Sequence, residues 1–209
     1  RPRCWYFRNG LGLLAMQDGK SLVRAGDNRF HAIFGTEGNA LFVSASSLGP
    51  ALIALGATIT VAGPGGKKRE ILASDFFQTP KTDNDRETAL KPNEILTEIF
   101  IPTKGLKNAT YEVRHRAGLD WPYVTASVAF AVKGGKVSDA RVVLGHVAPT
   151  PWRAAGAAAA LDGQKVDAAL AVKAGEAATQ GTKPLSKNAY KVQLVRAAVR
   201  RAVLAAAGA

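Results

Sequence analysis

The stretch YVTASVAFAVKGGKVSDARVVLGHVA, residues 123–148, decides the fold. On either side of Gly134-Gly135 runs a segment of about ten residues rich in valine and alanine. Two adjacent glycines between lysines are a tight-hairpin signal, because both central positions can take positive φ. A third strand-like run, ATYEVRHRA at 109–117, precedes this hairpin. After Pro149 and Pro151 the composition turns abruptly to alanine, which predicts helices over about 153–161, 166–179 and 187–207. On the last of these, Leu194, Val195, Ala198, Val199, Ala202 and Val203 form an apolar stripe, with Arg196, Arg200 and Arg201 outside it. Three antiparallel strands followed by three helices predict a small α+β sandwich.

Upstream of residue 105 the pattern changes, and the chain is expected to divide near there. Ser46 or Ser47 can cap a short helix over Leu48 to Leu55, since a hydroxyl there satisfies an otherwise orphaned backbone donor, and Gly56 ends it. Ala57 to Ala62 then reads as a strand, Gly63-Pro64-Gly65-Gly66 as a turn and Lys68 to Leu72 as the returning strand. In EILTEIFIP, residues 94–102, alternation predicts a further strand with Ile95, Thr97, Ile99 and Ile101 on one face, stopped by Pro102.

A chain of 209 residues with 47% hydrophobic content can bury a sizeable core. It has no run of about 18 apolar residues that would span a bilayer, and its first residues lack the charged-then-apolar layout of a secretion signal. A single cysteine excludes an internal disulfide framework and a four-thiolate metal site, and a cytoplasmic location is expected. The formal charge of +12, with a pI near 10.1, is of the size found in nucleic-acid binders. The basic residues are scattered, however. The densest groups, Lys67-Lys68-Arg69 and Arg200-Arg201, carry no interleaved base-stacking aromatics. A solvated basic face, or one matched to an acidic partner subunit, accounts for the charge, and no nucleic-acid partner is expected.

Local motifs add little chemistry. Gly10 to Ala15 matches a dinucleotide fingerprint in spelling but lacks the strand that should precede it. Gly63 to Lys68 has the composition of a phosphate cradle without its spacing, and lies between hairpin strands. His31, His115 and His146 are isolated, so no metal ligand set and no catalytic residue is assigned. The opening RPRCWYFRNG has no initiator Met, and such aromatic density belongs inside a core, so the sequence is expected to begin within a domain. Cys4 is expected to be buried among Trp5, Tyr6 and Phe7 and therefore inert.

Taken together and in order, RPRCWYFRNG, GDNRFHAIFG, SSLGPALIALGA, VAGPGG, RETALKPNEILTEIFIP, YEVRHRAGLDWPYVTASVAF and the terminal NAYKVQLVRAAVRRAV resemble the flavoprotein (medium) subunit of molybdenum hydroxylases. This is the xanthine dehydrogenase, aldehyde oxidoreductase and carbon monoxide dehydrogenase family. The resemblance implies a partial FAD-binding subdomain of the PCMH/VAO-like type over 1–104. A flavoprotein C-terminal domain over 105–209, a three-stranded antiparallel sheet packed on three helices, would follow it. It further implies a molybdenum-cofactor large subunit and a small subunit with 2Fe-2S clusters as partners, and electron transfer through FAD to NAD or another acceptor. The glycine-rich lobe that holds the FAD diphosphate in the family lies ahead of the RCWYF motif. This chain alone is therefore expected to hold FAD weakly and to be inactive.

The resemblance also implies site residues. Ser46 and Ser47 stand where the family has a Ser-Asp pair beside FAD, Leu96 stands where a residue borders the flavin, and Glu112 where a lysine is common. A carboxylate at Glu112 is expected to reverse the local charge and disfavour an anionic reduced flavin. Some relatives carry a cysteine-rich insertion beginning with the same Cys-Trp-Tyr-Phe, which holds a four-iron cluster. Here Leu22 and Ala40 fill later ligand positions, so Cys4 is expected to be a remnant and no 4Fe-4S cluster is expected. The losses leave open an alternative, a cofactor-free scaffold subunit that docks the iron-sulfur and molybdenum subunits.

Overall fold

The computed structural model describes residues 3–102, 105–116, 118 and 120–208. The chain begins with short elements: α1 (Trp5–Arg8), β1 (Met16–Gln17), β2 (Lys20–Ser21) and α2 (Leu22–Ala25). After an irregular stretch come α3 (Gly49–Leu55), β3 (Thr58–Ala62), β4 (Lys68–Leu72), α4 (Ala73–Phe76) and β5 (Ile95–Phe100). The remainder is β6 (Lys107–Val113), β7 (Val124–Lys133), β8 (Lys136–Gly145), β9 (Trp152–Arg153), α5 (Ala155–Leu161), α6 (Ala168–Ala177) and α7 (Tyr190–Ala207). This is an α+β fold with antiparallel sheets of order β1-β2, β4-β3-β5 and β6-β7-β8-β9.

The decisive hairpin forms as read. Gly134 and Gly135 both take positive φ, +56° and +75°, and Lys133 pairs with Lys136. The sheet has one more strand than expected, because Arg153 and Trp152 pair with Val143 and Leu144 before α5 begins at Ala155. Trp152, partly buried, stacks on Phe34 at 4.9 Å between ring centroids, a contact that favours the segment lying against the sheet.

The second sheet face is also covered, which the two-layer reading missed. Val124, Ala126, Val128 and Phe130 of β7 enter one core with Val195, Ala198, Val199, Ala202 and Val203 of α7. Ala129 and Val143 enter another, with Leu52, Ile53 and Ala54 of α3. Such two-sided coverage explains why β7 reads as a continuous apolar run instead of alternating. Fully burying each valine on α7 is worth about 1.5–3 kcal/mol.

The reading of β5 needs correction. A register shift between Thr60 and Val61 pairs Thr60 with Glu98 but Val61 with Leu96, so Thr97 is bulged out of the ladder. Two-residue alternation fails across a bulge. Leu96 joins Ile59 and Val61 in packing against the α3 core, while Ile95 is 66% exposed.

The irregular segment before α3 is clamped to the C-terminal half. Ile33 N–H and Ser44 N–H donate to the Val147 and Ala148 carbonyls at 2.8 and 2.9 Å, and Lys183 N–H donates to Ile33 C=O at 2.8 Å. Buried Asn28 receives Lys187 N–H and donates to Val23 C=O and Ser186 Oγ. Buried Asn188 donates to the His31 and Ala32 carbonyls and accepts Leu185 N–H. Irregular backbone is tolerated in a core when its polar groups are satisfied in this way.

Candidate functional site

Ser46 and Ser47 lie on the turn into α3. Ser46 Oγ accepts Gly49 N–H at 3.0 Å, so of the two serines read as possible caps it is Ser46 that fixes the first turn. Ser46 is half-buried and Ser47 exposed. The helix start lies flat on the sheet because position 145 has no side chain: a Cβ on Gly145 would come within 2.8 Å of Pro50 Cγ. Gly145 pairs with Thr125, and Thr125 with Glu112. Two ladder steps of about 4.8 Å therefore separate the strand beneath Pro50 from Glu112, roughly 10 Å in all.

The structure thus brings Ser46, Ser47 and Glu112 to one end of the α3, β8, β7, β6 array. Leu96 lies in the other sheet, half-buried in the cluster that α3 covers, and α3 is the element shared by both locations.

The charge at Glu112 differs from expectation. Its carboxylate is paired with Arg114, whose Nε donates at 2.8 Å and whose Nη2 donates to the same oxygen. Arg114 Nη1 also donates to Gly118 C=O at 3.0 Å, which pins the guanidinium in place. The carboxylate at Glu112 is therefore met by a guanidinium, and the pair carries no net charge. Arg114, two residues beyond Glu112 and just past the end of β6, is the group the sequence reading passed over.

A second cluster was missed altogether. Lys191 is fully buried, and its Nζ donates to the carbonyls of Phe30, His31 and His146 at 3.1, 3.1 and 2.8 Å. His146 sits at φ +64°, with Nδ1 3.0 Å from Thr125 Oγ1. One signal was available: Lys191 lies four residues before Val195, on the apolar stripe, where a solvated lysine should not be.

Cys4 is half-buried, not fully buried as expected. In the single turn of α1, successive side chains point in different directions, so Tyr6 is buried while Trp5 and Phe7 are 59% and 41% exposed. Cys4 packs with Leu22 against the cluster of Tyr6, Ala15, Val23 and Leu41. Ala40 is buried beside Leu14 and Phe42. Among the described residues no group of three or more His, Cys, Asp or Glu side chains could hold a metal ion.

Elsewhere, Arg69 grips both carboxylate oxygens of Glu94 at 2.9 and 2.7 Å, tying β4 to the entry of β5. That grip, with help from Lys91 N–H, lowers the Glu94 pKa to about 2. Among the described residues no helix is long and apolar enough to cross a membrane.

Comparison with known proteins identifies the domains. Residues 37–104 match the FAD binding domain in molybdopterin dehydrogenase, and 109–206 match the CO dehydrogenase flavoprotein C-terminal domain. The chain is 29% identical over 207 residues to the aldehyde oxidoreductase FAD-binding subunit PaoB of Escherichia coli, covering 94% of this chain and 59% of that protein. It is 36% identical over 113 residues to the glyceraldehyde dehydrogenase medium chain of Sulfolobus acidocaldarius, covering 53% of this chain and 37% of that one. Among solved structures, quinoline 2-oxidoreductase from Pseudomonas putida 86 superposes with a TM-score of 0.67 at 29% identity, over 78% of this chain and 56% of that chain. CO dehydrogenase from Oligotropha carboxidovorans gives 0.64 at 30% identity, over 78% and 57%. The chain therefore spans 59% or less of the length of these relatives. With both domains present in order and the fold shared, the chain belongs to the FAD-binding medium subunits of the molybdenum hydroxylases.

Proposed function

We propose that this chain forms part of the flavin-carrying electron-transfer subunit of a molybdenum hydroxylase. In this reading electrons arrive from 2Fe-2S clusters on a small partner subunit and leave to NAD or another acceptor. Substrate is oxidised at a molybdenum cofactor on a large partner subunit. We assign residues 1–104 to the C-terminal part of the FAD-binding domain and 105–209 to the flavoprotein C-terminal domain. The observation that carries the reading is the pair of family domains, in tandem over 37–104 and 109–206.

The residues at the end of α3 and β6 suit a flavin. FAD, when bound, supplies the ability to take up electrons singly and release them in pairs. Ser46 Oγ accepts Gly49 N–H and retains its O–H to donate. Ser47, exposed beside it, offers a second hydroxyl that can donate or accept where the family has an acid. Arg114, paired with Glu112 and held by Gly118 C=O, compensates the carboxylate, so that Glu112 does not stand as a lone negative charge against a flavin anion. Leu96 supplies an apolar edge that excludes water.

The test is the flavin content of the protein purified with its native partners, from the visible spectrum and from cofactor released on heating. About one FAD per chain is expected. An assembled complex with no flavin would refute the electron-transfer role and leave the subunit as a scaffold for its partners.

A further inference from the structure

We propose that Arg141 is a positioning residue for the flavin, clasping the corner at which the sheet of the FAD-binding domain leaves α3; this rests on the flavin-carrying reading above. Arg141 lies on β8, in the stretch matched to the C-terminal domain, whereas α3, β3 and Leu96 lie in the stretch matched to the FAD-binding domain. Its half-buried side chain crosses from one to the other. Gly56 N–H and Ala57 N–H take the Ile53 and Leu52 carbonyls, and Arg141 Nη1 takes the next, donating to Ala54 C=O at 3.3 Å. A guanidinium suits that place, because the last carbonyls of a helix lack partners inside it and their dipoles favour a cation.

Two features of the sequence admit and aim this side chain. Gly56 sits at φ +70°, and a Cβ there would lie 2.6 Å from Arg141 Nη1, so the glycine that ends α3 also makes room for the arginine. Asp139 sits at φ +54° in a bulge where it and Ala140 together face Phe130 of β7. Its carboxylate accepts from Nη2 and, at 3.4 Å, from Nε, which steadies the guanidinium from behind while Nη1 reaches α3.

The corner matters because of what it carries. Past Gly56 the chain enters β3, the central strand of the β4-β3-β5 sheet, where Leu96 of β5 pairs with Val61. Ala73 N–H donates to Ala57 C=O at 2.9 Å, so the end of β4 is tied to the same point. α3 is thus held on β8 at both ends, by the close fit of Pro50 over Gly145 and by the Arg141 bond. Without the second contact the helix pivots on the first and carries the Leu96 sheet away from Glu112 and Arg114. Leu52, Ile53 and Ala54 still pack with Ala129 and Val143, so the fold persists and orientation is what is lost.

The experiment uses the full-length protein with its native partners. Arg141→Gln is compared with Asp167→Ala, which removes the N-cap of α6, outside this corner, and serves as a purely structural loss. Flavin should leave Arg141→Gln about tenfold faster than the control, the order expected for losing one hydrogen bond to a charged group. The flavin still bound should be more open to quenching by acrylamide. Independently of the cofactor, hydrogen exchange at the Gly56 and Ala57 amides should quicken about tenfold in Arg141→Gln and stay at the wild-type rate in Asp167→Ala. Asp139→Asn keeps a side chain tolerant of positive φ and should shift each readout in the same direction by less. Flavin release no faster than in Asp167→Ala, or unchanged exchange at Gly56 and Ala57, overturns the proposal while leaving the flavin reading intact. A wild-type complex empty of flavin refutes that reading and this role together. Should Arg141→Gln fail to assemble, the same readouts on Asp139→Asn decide, and no change there overturns the proposal.

Discussion

Replacing Lys191 with methionine tests how the irregular segment before α3 is held. Methionine nearly matches the lysine stem in length, so it removes the ammonium without opening a large cavity. The Nζ hydrogen bonds reach three carbonyls, Phe30, His31 and His146. His31 C=O keeps the Asn188 amide at 3.2 Å, whereas the Phe30 and His146 carbonyls give up a charged donor. Each such loss in a buried site costs about 1–3 kcal/mol. Against this, the folded protein no longer has to dehydrate an ammonium ion, which offsets part of the cost. A net destabilisation of about 3 kcal/mol is expected, equivalent to a fall in Tm of roughly 6–12 °C for a chain of this size. Chemical denaturation at neutral pH is the assay. A double-mutant cycle with Asn188→Ala should show a coupling of about 0.5–3 kcal/mol, because the two side chains share the His31 carbonyl. A loss below about 0.5 kcal/mol in Lys191→Met, at the level of an ordinary surface change, would refute the reasoning.

Gly145→Ala should cost about 1–3 kcal/mol by overpacking, since its Cβ meets Pro50 at 2.8 Å, and should lower flavin content by lifting Ser46 and Ser47 away from β6. Differential scanning calorimetry and the visible spectrum would check the two effects. Arg114→Gln should leave the fold intact and lower the flavin reduction potential, measured by redox titration, because Glu112 is then left as an uncompensated carboxylate that disfavours the reduced anion. The Glu94 pKa is about 2 in the folded protein, below the unfolded carboxylate value of about 4.3, so its pairing stabilises the fold fully above that unfolded value. The contribution fades as pH falls towards 2, and Glu94→Gln should flatten the dependence of the denaturation midpoint on pH between 5 and 2.

Much of the architecture was legible because local signals agree with it. The Gly134-Gly135 hairpin, the Gly56 stop and the alanine helices each follow from backbone sterics or composition, without reference to the rest of the chain. The misreadings of strands and sheet faces share a cause, long-range pairing. The Thr97 bulge depends on how β5 registers with β3. The extra strand at Trp152 depends on Phe34, more than a hundred residues away. The second covered face of β7 depends on α3. Periodicity counted along one segment cannot contain these facts.

The candidate site shows the same division at the level of charge. Glu112, taken alone, is a negative residue at a position associated with a cation, which argues against stabilising an anionic flavin. Arg114 lies two residues beyond Glu112, just past the end of β6, where the continuing extended pattern read from the sequence puts both side chains on a common face. The alternation that organised the strand therefore already implied that the carboxylate and the guanidinium would meet, and the pair is what the structure contains. A lone carboxylate would oppose developing negative charge on a flavin, whereas the Glu112–Arg114 pair carries no net charge, so Glu112 by itself is no argument for a scaffold over an electron-transfer subunit.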